Sequence, residues 1–133
     1  MHFSRVLESE VMDDPAQASA YARADFADVN RAFVERFLTR FPDVENGTIL
    51  DLGCGPCDIP VRLAHAVPGC RIAAVDASWP MLAHAWRVVR SHNLTGRIDL
   101  VCARVLLVSV GSGKMLDARV SSSLLRHRPD TGA

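Results

Sequence analysis

Asp51, Gly53, Gly55 and Asp76 are the residues of this chain whose types and spacing could do chemistry. The first three fall in Asp-Leu-Gly-Cys-Gly-Pro-Cys-Asp, at positions 51–58, directly after the apolar pair Ile49 and Leu50. A short apolar run that closes on a Gly-x-Gly turn reads as a buried strand handing over to a helix, and glycines in the turn let the backbone approach a ligand. A dinucleotide-binding turn needs a third glycine where this chain has Asp58, whose fixed negative charge repels a pyrophosphate and itself satisfies the helix dipole. No Gly-Lys-Ser/Thr follows, so the P-loop pattern is absent as well. Downstream, Ile72, Ala73, Ala74 and Val75 form a second apolar run that ends in Asp76, 25 residues after Asp51. That is the place where a carboxylate takes both hydroxyls of a ribose. The pattern suits a ligand with a nucleoside and a positive charge but no phosphate.

S-adenosylmethionine has these parts: an adenosine, a sulfonium cation and an amino-acid tail. ILDLGCGPCDIPVRLA followed by IAAVDASWPMLAHA resembles the first two motifs of the class I S-adenosylmethionine-dependent methyltransferases, over Ile49 to about Val101. Leu116 to Asp130 is weakly similar to the fourth-strand segment of that family. The resemblance implies an α/β, Rossmann-like, doubly wound parallel sheet and methyl transfer from S-adenosylmethionine to an acceptor, expected to be a small molecule. It also implies that Asp51, Gly53, Cys54 and Gly55 contact the methionyl and ribose parts of the cofactor. Asp76 would then take the ribose diol, while Ala77 and Met81 would border the adenine. Tyr21, on a helix before the first strand, is a further contact implied in the same way. The chain departs from the family at two points. Ala103 and Arg104 stand where many relatives carry an acidic residue for the adenine amino group, and arginine cannot accept that hydrogen bond. Cys57 stands where the family usually has glycine, and a positive φ there would be strained.

The elements that must position these residues follow from the periodicity. Asp14, Pro15 and Gln17 have the form of a capping box with proline at the first helical position. Ala22, Phe26, Val29, Phe33 and Phe37 continue as one amphipathic stripe that ends before Pro42 and is expected to pack on the sheet. Asp58 is the expected cap of the helix after the glycine turn, which runs from about Ile59 to Val67 and stops at Pro68-Gly69. Ser78 caps the next helix, with Pro80 in its first turn and Leu82, Trp86 and Val89 on one face. Strand three is Ile98 to Cys102. Alternating strands and helices call for right-handed parallel crossovers, with ligands at the carboxyl ends of the strands. A helical segment over 1–46 and a partial cofactor-binding domain over 47–133 are the expected divisions.

Beyond strand three the pattern is ambiguous. Val105 to Val110 followed by Gly111-Ser112-Gly113-Lys114 could form a hairpin arm against Leu116 to Val120, whereas the family keeps strands three and four apart. The resemblance ends before the further strands that the family adds, so the sheet is expected to be incomplete, with about four strands. An unpaired strand edge then invites self-association. A second reading is accordingly a non-catalytic or partner-dependent cofactor-binding remnant. Ser121, Ser122 and Ser123 lie where the family places acceptor-side polar groups, and His127 reads as an exposed residue of a basic tail.

The 133 residues suit one domain, with 15 basic and 15 acidic side chains in balance. Neutral charge supplies no field for nucleic acid or acidic membrane. No segment reaches membrane-spanning length, and the N-terminus lacks the apolar core of a signal peptide. A cytoplasmic setting is expected from four cysteines at irregular spacing. Two other chemistries compete for those cysteines. Cys54-Gly-Pro-Cys57 is the dithiol sequence of thioredoxins, but it lacks the preceding Trp, and the glycine frame and Asp76 would have no redox role. Cys54, Cys57, His65 and Cys70 lack the compact second pair of a structural zinc site, so no metal is expected.

Overall fold

A computed structural model of the chain describes residues 12–104 and the backbone of 123–124. Two N-terminal helices, α1 (Pro15–Arg23) and α2 (Ala27–Arg40), precede a 3-10 turn at Val44–Asn46. Strand β1 (Thr48–Leu52), helix α3 (Asp58–Ala66), strand β2 (Arg71–Asp76), helix α4 (Trp79–Ser91) and strand β3 (Ile98–Cys102) then alternate. β1, β2 and β3 are parallel, with Ile49 opposite Ile72 and Ile72 opposite Ile98. A two-residue strand, β4 (Ser123–Leu124), pairs antiparallel with β3, so the order across the sheet is β1-β2-β3-β4. The expected α/β Rossmann-like fold is present, with its fourth strand beside β3 and antiparallel to it. The possible hairpin arm at 105–110 and the strand over 116–120 lie outside the described residues, as do Ser121, Ser122 and His127.

The strand registers put side chains of one parity on the helix side. Ile49, Ile72, Ala74, Ile98 and Leu100 join Val61, Leu63 and Ala64 of α3 and Leu82, Ala85 and Val89 of α4 in one buried cluster. Both crossovers step the same way across the sheet, and right-handed connections therefore set α3 and α4 on the same face. Leu50 and Leu52 have the opposite parity and stay exposed, Leu50 to 58%. β1 is also the terminal strand of the sheet among the described residues, so its outer edge is unpaired there.

Local signals account for the helix ends. Asp14 accepts a hydrogen bond from the Ala16 N–H at 2.9 Å, with proline following at the first helical position. Ser78 caps α4, its Oγ accepting from the Met81 N–H at 3.2 Å. It is buried, and its hydroxyl also donates to the Met12 carbonyl, which ties the start of the described chain to the sheet's ligand-side rim.

Two expectations need correction. The N-terminal stripe is not one helix: the chain leaves helical geometry at Ala24, where φ and ψ are −66° and 142°, and resumes at Ala27. Beyond this break the middle of the stripe faces away from the core, while its last member, Phe37, packs against it. Val29 and Phe33 are 70% and 51% exposed, whereas Val34 is buried and Phe37 and Leu38 pack beside it. The helix after the glycine turn also starts one residue early, with Asp58 inside it and Cys57 in the cap position.

Candidate functional site

The site is assembled at the carboxyl ends of β1 and β2. Beyond β1 the chain must reverse within a few residues, and it does so through three left-handed conformations: Gly53 at φ 81°, Gly55 at φ 52° and Cys57 at φ 70°. The two glycines adopt them without a Cβ penalty, whereas Cys57 bears the strain expected of a non-glycine residue. The Gly53 and Cys54 N–H groups both donate to the Val75 carbonyl, at 2.7 and 2.9 Å, and the Cys57 N–H closes a turn onto the Cys54 carbonyl at 3.0 Å. Asp58 leaves the helix cap to its neighbour and instead accepts from Asn30 of α2 and Arg62 of α3, each at 2.8 Å.

Asp76 is the joint of the site. Its Oδ2 accepts from the Gly55 N–H and its Oδ1 from the Ser78 N–H, both at 2.9 Å. Its backbone carbonyl accepts from the Ala103 N–H at 3.0 Å. One residue thus holds the glycine turn, the start of α4 and the end of β3. Each carboxylate oxygen keeps a second lone pair for a ligand hydroxyl. The sequence pattern singled out Asp76 for a ribose but did not reveal this structural duty, because its partners lie 21 residues upstream and beyond the end of β3.

Asp51 is half-buried, and its carboxyl is pushed above the ordinary carboxylate range, first by burial and then by the negative charge of Asp76. The ion pairs given by the described residues involve Asp28, Asp58 and Asp99, leaving Asp51 and Asp76 without a cation. A half-buried carboxylate beside a second negative charge, with no described cation near either, is a place suited to a positively charged ligand.

A cleft of about 450 Å³ opens over the turn. Asp51, Gly53, Cys54, Gly55 and Asp58 form one wall, and Tyr21, Asp25, Phe26 and Asn30, from the junction of α1 and α2, form the other. A Cβ at Gly55 would stand 3.6 Å from the Tyr21 ring, so the tyrosine packs directly over the turn. Of the other residues that the sequence singled out, Ala77 is half-buried beyond Asp76. Met81 is buried on α4. Neither lines this cleft. Arg104 is exposed, and Ala103 is buried beside Asp76.

The dithiol is placed unfavourably for redox chemistry. Cys54 and Cys57 are buried, and the Cys54 thiol is pushed far up by its hydrogen bond with Cys57, by burial and by the carboxylates of Asp76 and Asp51. Exchange and oxidation need a thiolate, which this environment opposes. Among the described residues no group of three or more His, Cys, Asp or Glu could hold a metal ion. None of the described helices is long and apolar enough to cross a membrane.

A parallel β-α-β-α-β unit with a two-glycine turn and a strand-terminal carboxylate at its ligand-side rim defines a Rossmann-like nucleoside-binding protein. The family model described as a methyltransferase domain matches residues 49–133, and the chain belongs to that family. It is 26% identical over 110 residues to the carboxy-S-adenosyl-L-methionine synthase of Pasteurella multocida strain Pm70, covering 81% of this chain and 44% of the relative. Among solved structures it is similar to a Methanococcus maripaludis protein assigned as an S-adenosyl-L-methionine-dependent methyltransferase. That match has a TM-score of 0.62 and 26% identity over 74% of this chain and 44% of the other. It also resembles in fold a methyltransferase from Aquifex aeolicus, at TM-score 0.56 and 21% identity, over 73% of this chain and 50% of that one. The chain spans less than half the length of the curated relative it matches. S-adenosylmethionine is the cofactor of this family, and the described residues fit it: Asp51 and Asp76 pair with no described cation, and the N–H groups of Gly53, Cys54, Gly55 and Cys57 are already bonded within the protein rather than free for a phosphate.

Proposed function

We propose that this chain binds S-adenosylmethionine at the ends of β1 and β2 and serves methyl transfer to a small-molecule acceptor. The observation that carries the reading is the Asp51–Asp76 carboxylate pair beside the glycine turn, unpaired with any cation among the described residues. Asp51 would face the cationic end of the cofactor, and Asp76 would accept from the ribose hydroxyls through its free lone pairs. Gly53, Cys54 and Gly55 would let the backbone approach the methionyl and ribose parts, while Ala77 and Met81 would border the adenine. When bound, the cofactor supplies a methyl group already activated on a sulfonium. The protein's remaining work is to align an acceptor in line with that group and exclude water, for which Tyr21 over Gly55 is well placed. The four free thiols support a reducing, cytoplasmic setting.

Among the described residues the edge of β1 is unpaired and Leu50 and Leu52 are exposed, which favours a second reading, in which this is a cofactor-binding half that acts only with further strands or a second chain. Calorimetric titration with S-adenosylmethionine tests what the two readings share, and the expected dissociation constant is micromolar. A folded chain that binds no cofactor would refute both. Turnover by the isolated chain, assayed with a panel of small acceptors, would then separate the first from the second.

A further inference from the structure

The wall of the cleft opposite the sheet carries its own chemical selectivity. Asp51, Asp58 and Asp25 all line the cleft, and no Lys, Arg or His does so among the described residues. Their surroundings divide the work. Asp58 is paired with Arg62 and accepts a hydrogen bond from Asn30. Asp51 lies next to Asp76 on the cofactor's side. Asp25 remains: it is exposed, pairs with no cation among the described residues, and spends one oxygen on the Ala27 N–H at 3.0 Å. Beside it the Tyr21 and Phe26 rings meet with centroids 5.2 Å apart, both still partly open to solvent.

We propose that the acceptor taken by this cleft is a small neutral amine on an apolar body, with Asp25 and the Tyr21–Phe26 pair determining that specificity. The proposal deepens the methyltransferase reading and rests on it. In such a transfer the amine lone pair forms the N–C bond as the C–S bond breaks, and that bond's electron pair returns to sulfur. The positive charge moves onto nitrogen, and the N–H proton then passes to water. The charge therefore stays inside the cleft, where a carboxylate and two ring faces stabilise it throughout the step. An oxyanion acceptor, such as a phenolate or a carboxylate, would have to bring negative charge beside Asp51 and Asp25, which pair with no cation among the described residues. A neutral phenol loses its proton as it attacks, and the negative charge that builds on its oxygen is disfavoured beside Asp25 and Asp51. An unprotonated amine develops positive charge instead.

The test is calorimetry on the full chain saturated with S-adenosylhomocysteine, using benzyltrimethylammonium as a mimic of the methylated product, and benzyl alcohol and phenylacetate as neutral and anionic counterparts. The cation is expected to bind most tightly, and the Asp25→Asn variant to weaken it about five-fold or more. Asparagine keeps the oxygen that accepts from the Ala27 N–H, and an unchanged melting temperature would verify that the fold is intact. Equal or tighter binding of phenylacetate or benzyl alcohol, or a cation affinity indifferent to Asp25→Asn, would overturn the proposal while leaving the cofactor reading standing. Failure of S-adenosylhomocysteine itself to bind would take down both.

Discussion

Replacing Asp76 by Asn separates its structural duty from its ligand duty. In the native chain both carboxylate oxygens accept backbone N–H groups at 2.9 Å, one from the glycine turn and one from the start of α4. Charge-assisted bonds of this kind contribute about 1.5–3 kcal/mol each. Asparagine retains one accepting oxygen and presents an NH₂ group to the other N–H, so one bond is lost. Removing the charge also relieves its repulsion of Asp51, which offsets part of the loss. The expected net destabilisation is about 1–2 kcal/mol, a fall in melting temperature of roughly 3–10 °C for a chain of this size. Differential scanning calorimetry of the two proteins reads it directly. The affinity for S-adenosylhomocysteine, titrated well below the transition, should fall at least ten-fold, about 1.4 kcal/mol. An unchanged melting temperature would refute the role of Asp76 as the joint. Unchanged affinity with a lowered melting temperature would refute its role at the ribose and leave the joint intact.

The burial and repulsion that raise the Asp51 pKa make its ionisation a cost to folding. The native state holds that proton more tightly than the unfolded chain. Its contribution is therefore fully present below the unfolded value of about 3.9 and is lost as pH rises through the higher folded value. Asp51→Asn should accordingly be more stable than the parent at pH 7 in urea unfolding, with the gap closing as pH falls through the raised folded value and gone once pH is well below the unfolded value of about 3.9, while cofactor affinity weakens. Arg97 donates to the carbonyls of Ala64, Val67 and Cys70 at 2.9, 2.7 and 3.0 Å. Arg97→Ala should cost about 2–4 kcal/mol by the same measurement, and Arg97→Lys should recover only part, because an ammonium cannot span that fork. On α2, Val34→Ala should cost about 1–2.5 kcal/mol while Phe33→Ala stays within about 0.5 kcal/mol, and equal losses would contradict the observed helix register.

Much of the central unit was legible in one dimension because its signals are local. A strand that ends in a two-glycine turn is recognisable from four or five residues, and strand three, Ile98 to Cys102, was legible from the helix breakers His92, Asn93 and Gly96 before it and from its largely apolar composition. Ser78 announced its helix because a cap needs only the next three residues. The stripe on α1 and α2 misled for the opposite reason. Its period was helical, but periodicity says nothing of a break at Ala24, and hydrophobicity does not say which face will find a partner. Val34, outside the stripe, became the buried residue because α2 packs on α3.

By itself the sequence determined the order of elements, the parallel hand of the crossovers and the residue types at the rim, all consequences of backbone geometry and short-range periodicity. Tertiary structure decided what those residues do to one another. Asp76 became a joint because parallel pairing brings the ends of β1, β2 and β3 together. Asp51 acquired its raised pKa from burial in the fold and then from the charge of a neighbour 25 positions away, and Arg97 capped the end of a helix 30 residues upstream. The wall bearing Tyr21, Asp25 and Phe26 came to face the glycine turn through the packing of α1 on α4 and of α2 on α3. Electrostatic coupling and hydrogen bonding act over a few ångströms of space regardless of separation along the chain, so these facts exist only once the fold has formed.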